Sequence, residues 1–216
     1  MMPQAFKQQL IAQLQESYLS RYAIGTQYLT FDQKRSYHFR MNLSYFYGNI
    51  TPENLAKTAG TVRELIDCIF SEEQTVTIAQ YIYWKKQLKH LLQPAQICSD
   101  SFWPLLDEQG ILRVLDYSIK SLTRVQKIGT SLVYQEFGRL NPGYPHIKNP
   151  TILVNLTKGI VLHIYDDRGC DVFCREEQDY LSLTKQFQPY IESYSTSMKE
   201  LGYTLLTSYY GVRFTK

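Results

Sequence analysis

The chain has 216 residues, 23 basic against 20 acidic for a net charge of +3, and 44% of them are apolar. That length can bury roughly 70% of its unfolded surface without help from a disulfide or a metal, and ordinary apolar content with balanced charge excludes disorder as the main state. No window approaches the roughly 18 uninterrupted apolar residues of a bilayer-spanning helix, and 11 Gly, 8 Pro and 4 Cys fit neither a collagen nor a disulfide scaffold.

The first ten residues lack the apolar core of a secretory signal, since Gln and Lys interrupt them. The Asn-x-Ser/Thr triplets at Asn42, Asn49 and Asn155 therefore carry no glycosylation meaning, and a cytoplasmic protein is expected. Residues 4–20 place Phe6, Leu10, Ile11, Leu14 and Tyr18 at helical spacing. Their polar face is Gln-rich rather than basic, which favours a packing helix over a membrane-surface one. From Ser36 to Tyr47, Tyr37, Phe39, Met41 and Leu43 alternate with His38, Arg40 and Asn42, as in a strand. Thr51-Pro52-Glu53 then supplies a capping hydroxyl, a Pro for the first helical position and an early acid. The helix it opens runs to about Phe70, interrupted only by Gly60.

Thr75 to Trp84 reads as a strand, and Trp84 to Leu92 as a short helix stopped by Pro94. Ile111 to Leu122 predicts one or two strands, and Gly129 to Phe137 a helix ending at Gly138. Residues 138–150 hold several Gly and Pro, a loop long enough to be functional or a hinge. One domain over 1–216 is expected, with lobes 1–137 and 151–216 as the alternative. Next, Ile152 to Leu156 and Ile160 to Tyr165 flank a Thr157-Lys158-Gly159 turn. The turn Asp166-Asp167-Arg168-Gly169 leads into a third strand, Cys170 to Cys174. In one strand those two thiols stand about 13 Å apart, beyond the roughly 7 Å a disulfide tolerates, so reduced cysteines are expected. Glu176 to Leu201 predicts a helix kinked or broken at Pro189, and Tyr203 to Phe214 a β-rich tail. The fold class is α+β: a mixed or mostly antiparallel sheet, helices packed on one face, and a C-terminal β-meander followed by a helix.

The run from Asn155 to Asp171 reads N-x-T-x-G-x-x-x-H-x-Y-D-D-R-G-x-D, and aromatic helix positions follow at Tyr190 and Tyr194. It resembles the C-terminal signature of an uncharacterised bacterial family, a domain of unknown function. The resemblance covers about a quarter of the chain. It implies an immunity role only by association, because some small bacterial proteins of this kind sit near toxin genes.

His163, Tyr165, Asp166, Asp167, Arg168 and Asp171 are the densest polar group and the candidate binding site. An imidazole with carboxylates suits water activation or a divalent ion. Strand alternation, however, sets His163 and Tyr165 on one face and starts Asp166 on the other. The competing reading is a structural turn, in which the acids bond backbone N–H groups and Gly169 takes a positive φ. Cys170, Cys174 and His163 lack the second ligand pair of a zinc site, so core thiols and no metal or other cofactor are expected. Lys85, Lys86, Lys89 and His90, beside Tyr81, Tyr83 and Trp84, are the nucleic-acid candidate. No phosphate-binding Gly-rich loop, Gly-x-Ser-x-Gly or His-Glu-x-x-His occurs.

Among the aromatic residues tyrosine supplies the largest part, 18 against 10 Phe and 2 Trp. Tyr suits half-buried rims and protein interfaces. The leading expectation is thus a non-enzymatic interaction protein, an immunity or regulatory partner of a toxin or effector, whose partner is another protein. A nucleic-acid binder and a metal-dependent hydrolase at the His/Asp group are the alternatives. No membrane role is expected.

Overall fold

The computed structural model describes residues 3–16, 19–20, 23–24, 29–31, 34–43, 49–83, 97–105, 110–119, 122–200, 204–208 and 211–215. Helix α1 (Pro3–Glu16) precedes two small hairpins, β1 (Leu19–Ser20) with β2 (Ala23–Ile24) and β3 (Thr30–Phe31) with β4 (Lys34–Arg35). The main sheet comprises β5 (Tyr37–Asn42), β6 (Thr75–Ile82), β7 (Ile97–Pro104), β8 (Ile111–Ser118), β9 (Thr151–Asn155), β10 (Ile160–Ile164) and β11 (Gly169–Cys174). A final hairpin, β12 (Thr204–Ser208) with β13 (Gly211–Thr215), extends it. The order is β12-β13-β5-β11-β10-β9-β6-β8-β7. Every pairing from β5 to β7 is antiparallel, and β13 joins β5 in parallel at Gly211 opposite His38. The architecture is α+β, and β9, β10 and β11 form the expected meander.

Local chemistry accounts for the helices. Thr51 caps α2 (Pro52–Phe70): its hydroxyl accepts the Asn54 N–H at 3.1 Å, and Pro52 occupies the first turn, where no N–H is needed. Leu55, Ala59, Val62, Leu65, Ile66 and Ile69 are its buried stripe. The helix expected over Gly129 to Phe137 lies earlier, at α3 (Leu122–Val133), because Val125, Ile128 and Leu132 recur at helical spacing and bury against α2. The remaining helical segment breaks at Phe187 into α4 (Glu177–Gln186) and α5 (Gln188–Glu200). Pro189 falls in the first turn of α5, the place where a missing N–H costs nothing.

Strand alternation divides the interior between the two faces of the sheet. On one face, Ile78, Leu115, Leu153, Leu162, Ile164, Cys170 and Val172 pack beneath α2, α3 and α4. The other face is apolar as well: Ala79, Tyr81, Leu112, Val114, Ile152, Val154, Val161 and Phe173 lie under Phe6, Leu10, Ile11 and Leu14 of α1. The first helix therefore adds a layer behind the sheet. Lys7 fastens it to Asp116 at 2.6 Å, a carboxylate that also accepts from Thr77 and Ser99. Loop 138–150 is tied to the body through Asn149, whose Nδ2 donates to the Tyr81 carbonyl, and through stacked Tyr134 and Tyr144 rings.

Candidate functional site

The register of three strands assembles the polar group. His163 on β10 stands opposite Asp171 on β11, and Asp171 stands opposite Arg40 on β5. Arg40 donates twice to Asp171, from Nε at 2.7 Å and from Nη2 at 2.6 Å. His38 approaches the same carboxylate with Nε2 at 3.0 Å. An ionised carboxylate only accepts, so the His38 proton sits on Nε2. The His38 ring stacks on Phe173, with centroids 4.5 Å apart. Arg40 lies between the rings of Tyr165 and Tyr194, 5.5 and 5.4 Å from their centroids, an aromatic clamp on a cation.

Burial sets the protonation states. Desolvation favours a neutral Asp171 carboxyl, but the Arg40 guanidinium and the His38 and Arg40 hydrogen bonds outweigh it and hold the group well below the usual carboxylate range. His163 is 1% exposed, and burial pushes its pKa down to about 4, against the opposing pull of Asp171 and Asp166. Its Nδ1 has no hydrogen-bond partner. The ring is thus neutral at pH 7, edge-on to Tyr165. Burial, followed by the Asp171 charge, raises the Tyr165 phenol well above its ordinary value.

Asp166, Asp167 and Arg168 occupy the connection between β10 and β11. Asp166 is buried and accepts the Arg168 backbone N–H at 2.8 Å, and the Arg168 guanidinium returns to the same carboxylate. Asp167 is buried too, at 2% exposure, rather than at the surface. The Arg168 carbonyl accepts the N–H of Leu43, linking the turn to β5. Gly169 does not take the positive φ expected of it; among the described glycines that conformation belongs to Gly143 and Gly159. Gly169 instead begins β11 where the Met41 carbonyl and the Tyr165 ring leave no room for a Cβ. We expect Gly169→Val to lower stability by about 1–3 kcal/mol through overpacking. A thermal melt of the variant checks this, and an unchanged midpoint would refute the steric reading.

Other residues of the 155–171 run bind elements together. Asn155 Nδ2 donates to the Ile69 carbonyl at the end of α2, while its Oδ1 accepts the Lys158 N–H within the turn. Thr157 donates to Glu73 at 2.9 Å. Of the six residues the sequence singled out, the structure sets His163 and Asp171 opposite each other and Tyr165 against the His163 ring, keeps Asp166, Asp167 and Arg168 in the turn, and adds Arg40, His38 and Tyr194, which sequence reasoning missed. Arg40 and His38 were visible only as the polar half of an alternating strand. Among the described residues, no group of three or more His, Cys, Asp or Glu could hold a metal ion. Cys170 and Cys174 are buried, with thiols raised by burial. Lys85, Lys86, Lys89 and His90 lie outside the described residues, as does the short helix predicted there. No described helix is long and apolar enough to cross a membrane.

A second feature had no counterpart in the sequence reading. Strand β7 forms one border of the sheet and is exposed along nearly its whole length. Ile97, Phe102 and Trp103, with Ile111 on β8, are 39, 54, 40 and 40% exposed, so four of the large apolar side chains left in water share one edge.

A comparison with curated proteins finds 34% identity over 59 residues to an uncharacterised Bacillus subtilis (strain 168) protein, YnaE. That stretch covers 27% of this chain, and the chain spans about a quarter (26%) of the length of that relative. No solved structure matches. The match that extends across both the β5–β11–β10 cluster and the β7 edge is to a family model, over residues 11–195, and on that breadth the chain belongs to the family described as a domain of unknown function, DUF3885.

Proposed function

We propose that the protein is a non-enzymatic interaction module that binds a protein partner through the β7 edge, as a regulatory or immunity-type partner of a bacterial toxin or effector. The observation that carries this reading is the apolar border formed by Ile97, Phe102, Trp103 and Ile111. Water-exposed sheet edges are normally blunted by lysine or covered, because their unpaired backbone groups recruit other strands. This edge has no lysine or arginine of its own; it carries Asp100, a terminal Pro104 and an irregularity between Ile97 and Ser99, which leave the stretch from Ser99 to Trp103 regular and largely exposed. The polar cluster supports the same reading: Asp171 is engaged by Arg40 and His38, and Asp166 by Arg168.

The test is affinity capture from the host lysate, with and without nuclease, comparing the native chain with Phe102→Glu/Trp103→Ser. Both positions are substantially exposed, so the double variant should fold with little loss. One stoichiometric protein that survives nuclease and is lost on the variant is the expected result. Capture indifferent to the variant, or nucleic acid alone, would overturn the reading; the latter would turn attention to Lys85, Lys86, Lys89 and His90.

A further inference from the structure

Resting on that reading of the β7 edge as a contact surface, we infer that its occupant in the isolated protein is the β7 edge of a second copy, paired antiparallel about a two-fold axis at Ser101. The hydrogen-bond phase of the ladder decides which backbone groups of β7 face outward. The Leu105 N–H donates to the Gly110 carbonyl at 3.0 Å at the end of the β7–β8 hairpin. Antiparallel pairs alternate between hydrogen-bonded and non-bonded. With Trp103 opposite Leu112, Phe102 opposite Arg113 and Ser101 opposite Val114, Trp103 and Ser101 turn their backbone groups toward β8. Asp100, Phe102 and Pro104 turn theirs outward. Pro104 has no N–H, and its carbonyl already accepts from Gln15 Nε2 at 2.8 Å. From Ser99 to Pro104, beyond the irregularity between Ile97 and Ser99, what the edge offers is therefore the N–H and C=O of Asp100 and of Phe102.

Those four groups are complementary to their own copy in one register. With Ser101 opposite Ser101 of the second copy, Phe102 exchanges both its bonds with the copy's Asp100, and Asp100 does the same with the copy's Phe102. Every outward group between Ser99 and Pro104 that is still free to pair is then used. Shifting the axis onto Asp100 sets Phe102 opposite Cys98, inside the irregular stretch between Ile97 and Ser99, where the ladder phase is broken. An axis on Phe102 sends Asp100 to a proline that cannot donate and whose carbonyl is taken.

Side chains favour the same register. Asp100 is already neutralised by Arg113, whose Nε and Nη2 donate to it at 2.9 and 2.7 Å, so the edge brings no uncompensated charge to a like copy. The Arg113 guanidinium also sits 5.8 Å from the Phe102 centroid. In the pair, each Phe102 would lie beside the other copy's Asp100–Arg113 pair, with the two Phe102 rings in diagonal contact. On the opposite face Trp103 would cover Ser99 of the copy.

Cysteine cross-linking tests both the contact and its register. In a Cys98→Ser background, Ser101→Cys places two thiols across a non-hydrogen-bonded pair, where Cα atoms lie about 4.5 Å apart, within disulfide reach. Ser99→Cys places them about four residues, or 13 Å, apart. Mild oxidation should link the first variant into a dimer and leave the second monomeric. Sedimentation should give the native chain twice its 25.3 kDa mass, and Phe102→Glu, which opposes two acids, should return it to monomer. Equal linking of both cysteine variants, or a dimer that persists in Phe102→Glu, would overturn the inference. So would a native chain that is monomeric at high concentration; the functional reading would then stand if lysate capture were still lost on the edge variant, and would fall with it if capture were unchanged.

Discussion

Asp171→Ala is expected to destabilise the protein by about 3–5 kcal/mol, the cost of leaving a partner charge buried and unpaired. The Asp171 side chain is 1% exposed and that of Arg40 24%. In the native protein the carboxylate accepts two bonds from Arg40 and one from His38. Without it, the guanidinium between Tyr165 and Tyr194 keeps its charge and loses the group that compensated its dehydration. For a domain whose total stability is about 5–15 kcal/mol, that loss is a large share. The double variant Arg40→Met/Asp171→Leu should recover much of it, because a buried ion pair replaced by apolar groups of similar volume is often neutral. Denaturant unfolding of the native chain and of these two variants decides the matter. A loss under about 1 kcal/mol for Asp171→Ala would mean that the pair behaves as a solvated surface bridge.

Acid should weaken the fold before the carboxylates protonate. His163 has a pKa near 4 in the folded chain against 6.5 when unfolded. Between those values the unfolded state takes up the proton and the folded state does not. Stability is complete above about pH 6.5, falls as pH drops toward 4, and changes no further on this account below it. A gap of that size corresponds to about 3 kcal/mol. Around the ring stand Asp171, Asp166 and Arg40, whose charges alter the gap without closing it. Asp171 contributes in the same direction at lower pH, because its folded carboxyl is held below its usual range. His163→Phe should flatten the pH 7 to 4 limb of the stability curve. An unchanged limb would locate the acid sensitivity elsewhere.

Local chemistry made a good part of the fold legible in advance. The Thr51-Pro52-Glu53 cap, the alternation on either side of Thr157-Lys158-Gly159, and the break at Pro189 each act over a few residues, and each element formed where those signals placed it. Gly169 shows where local reasoning failed: a glycine in a turn suggests a positive φ, yet its need here comes from the Met41 carbonyl on β5 and the Tyr165 ring just past the end of β10. The bounds of α3 failed similarly: a helix is expected over Gly129 to Phe137, but the stripe of Val125, Ile128 and Leu132 packed with α2 sets it at Leu122–Val133.

Composition and pattern thus determined the class of fold, the Thr51 cap and the meander of β9, β10 and β11. Tertiary structure decided what those residues do. Arg40 and His38 reach Asp171 across 131 and 133 residues of chain, so nothing near the Asp-Asp-Arg-Gly turn could name them. Nor does any property of Ile97–Pro104 say that it borders the sheet; that follows from β8 pairing with β6 on one side and with β7 on the other. Backbone hydrogen bonds are supplied by every residue alike, and only the order of the strands settles which of them remain unused.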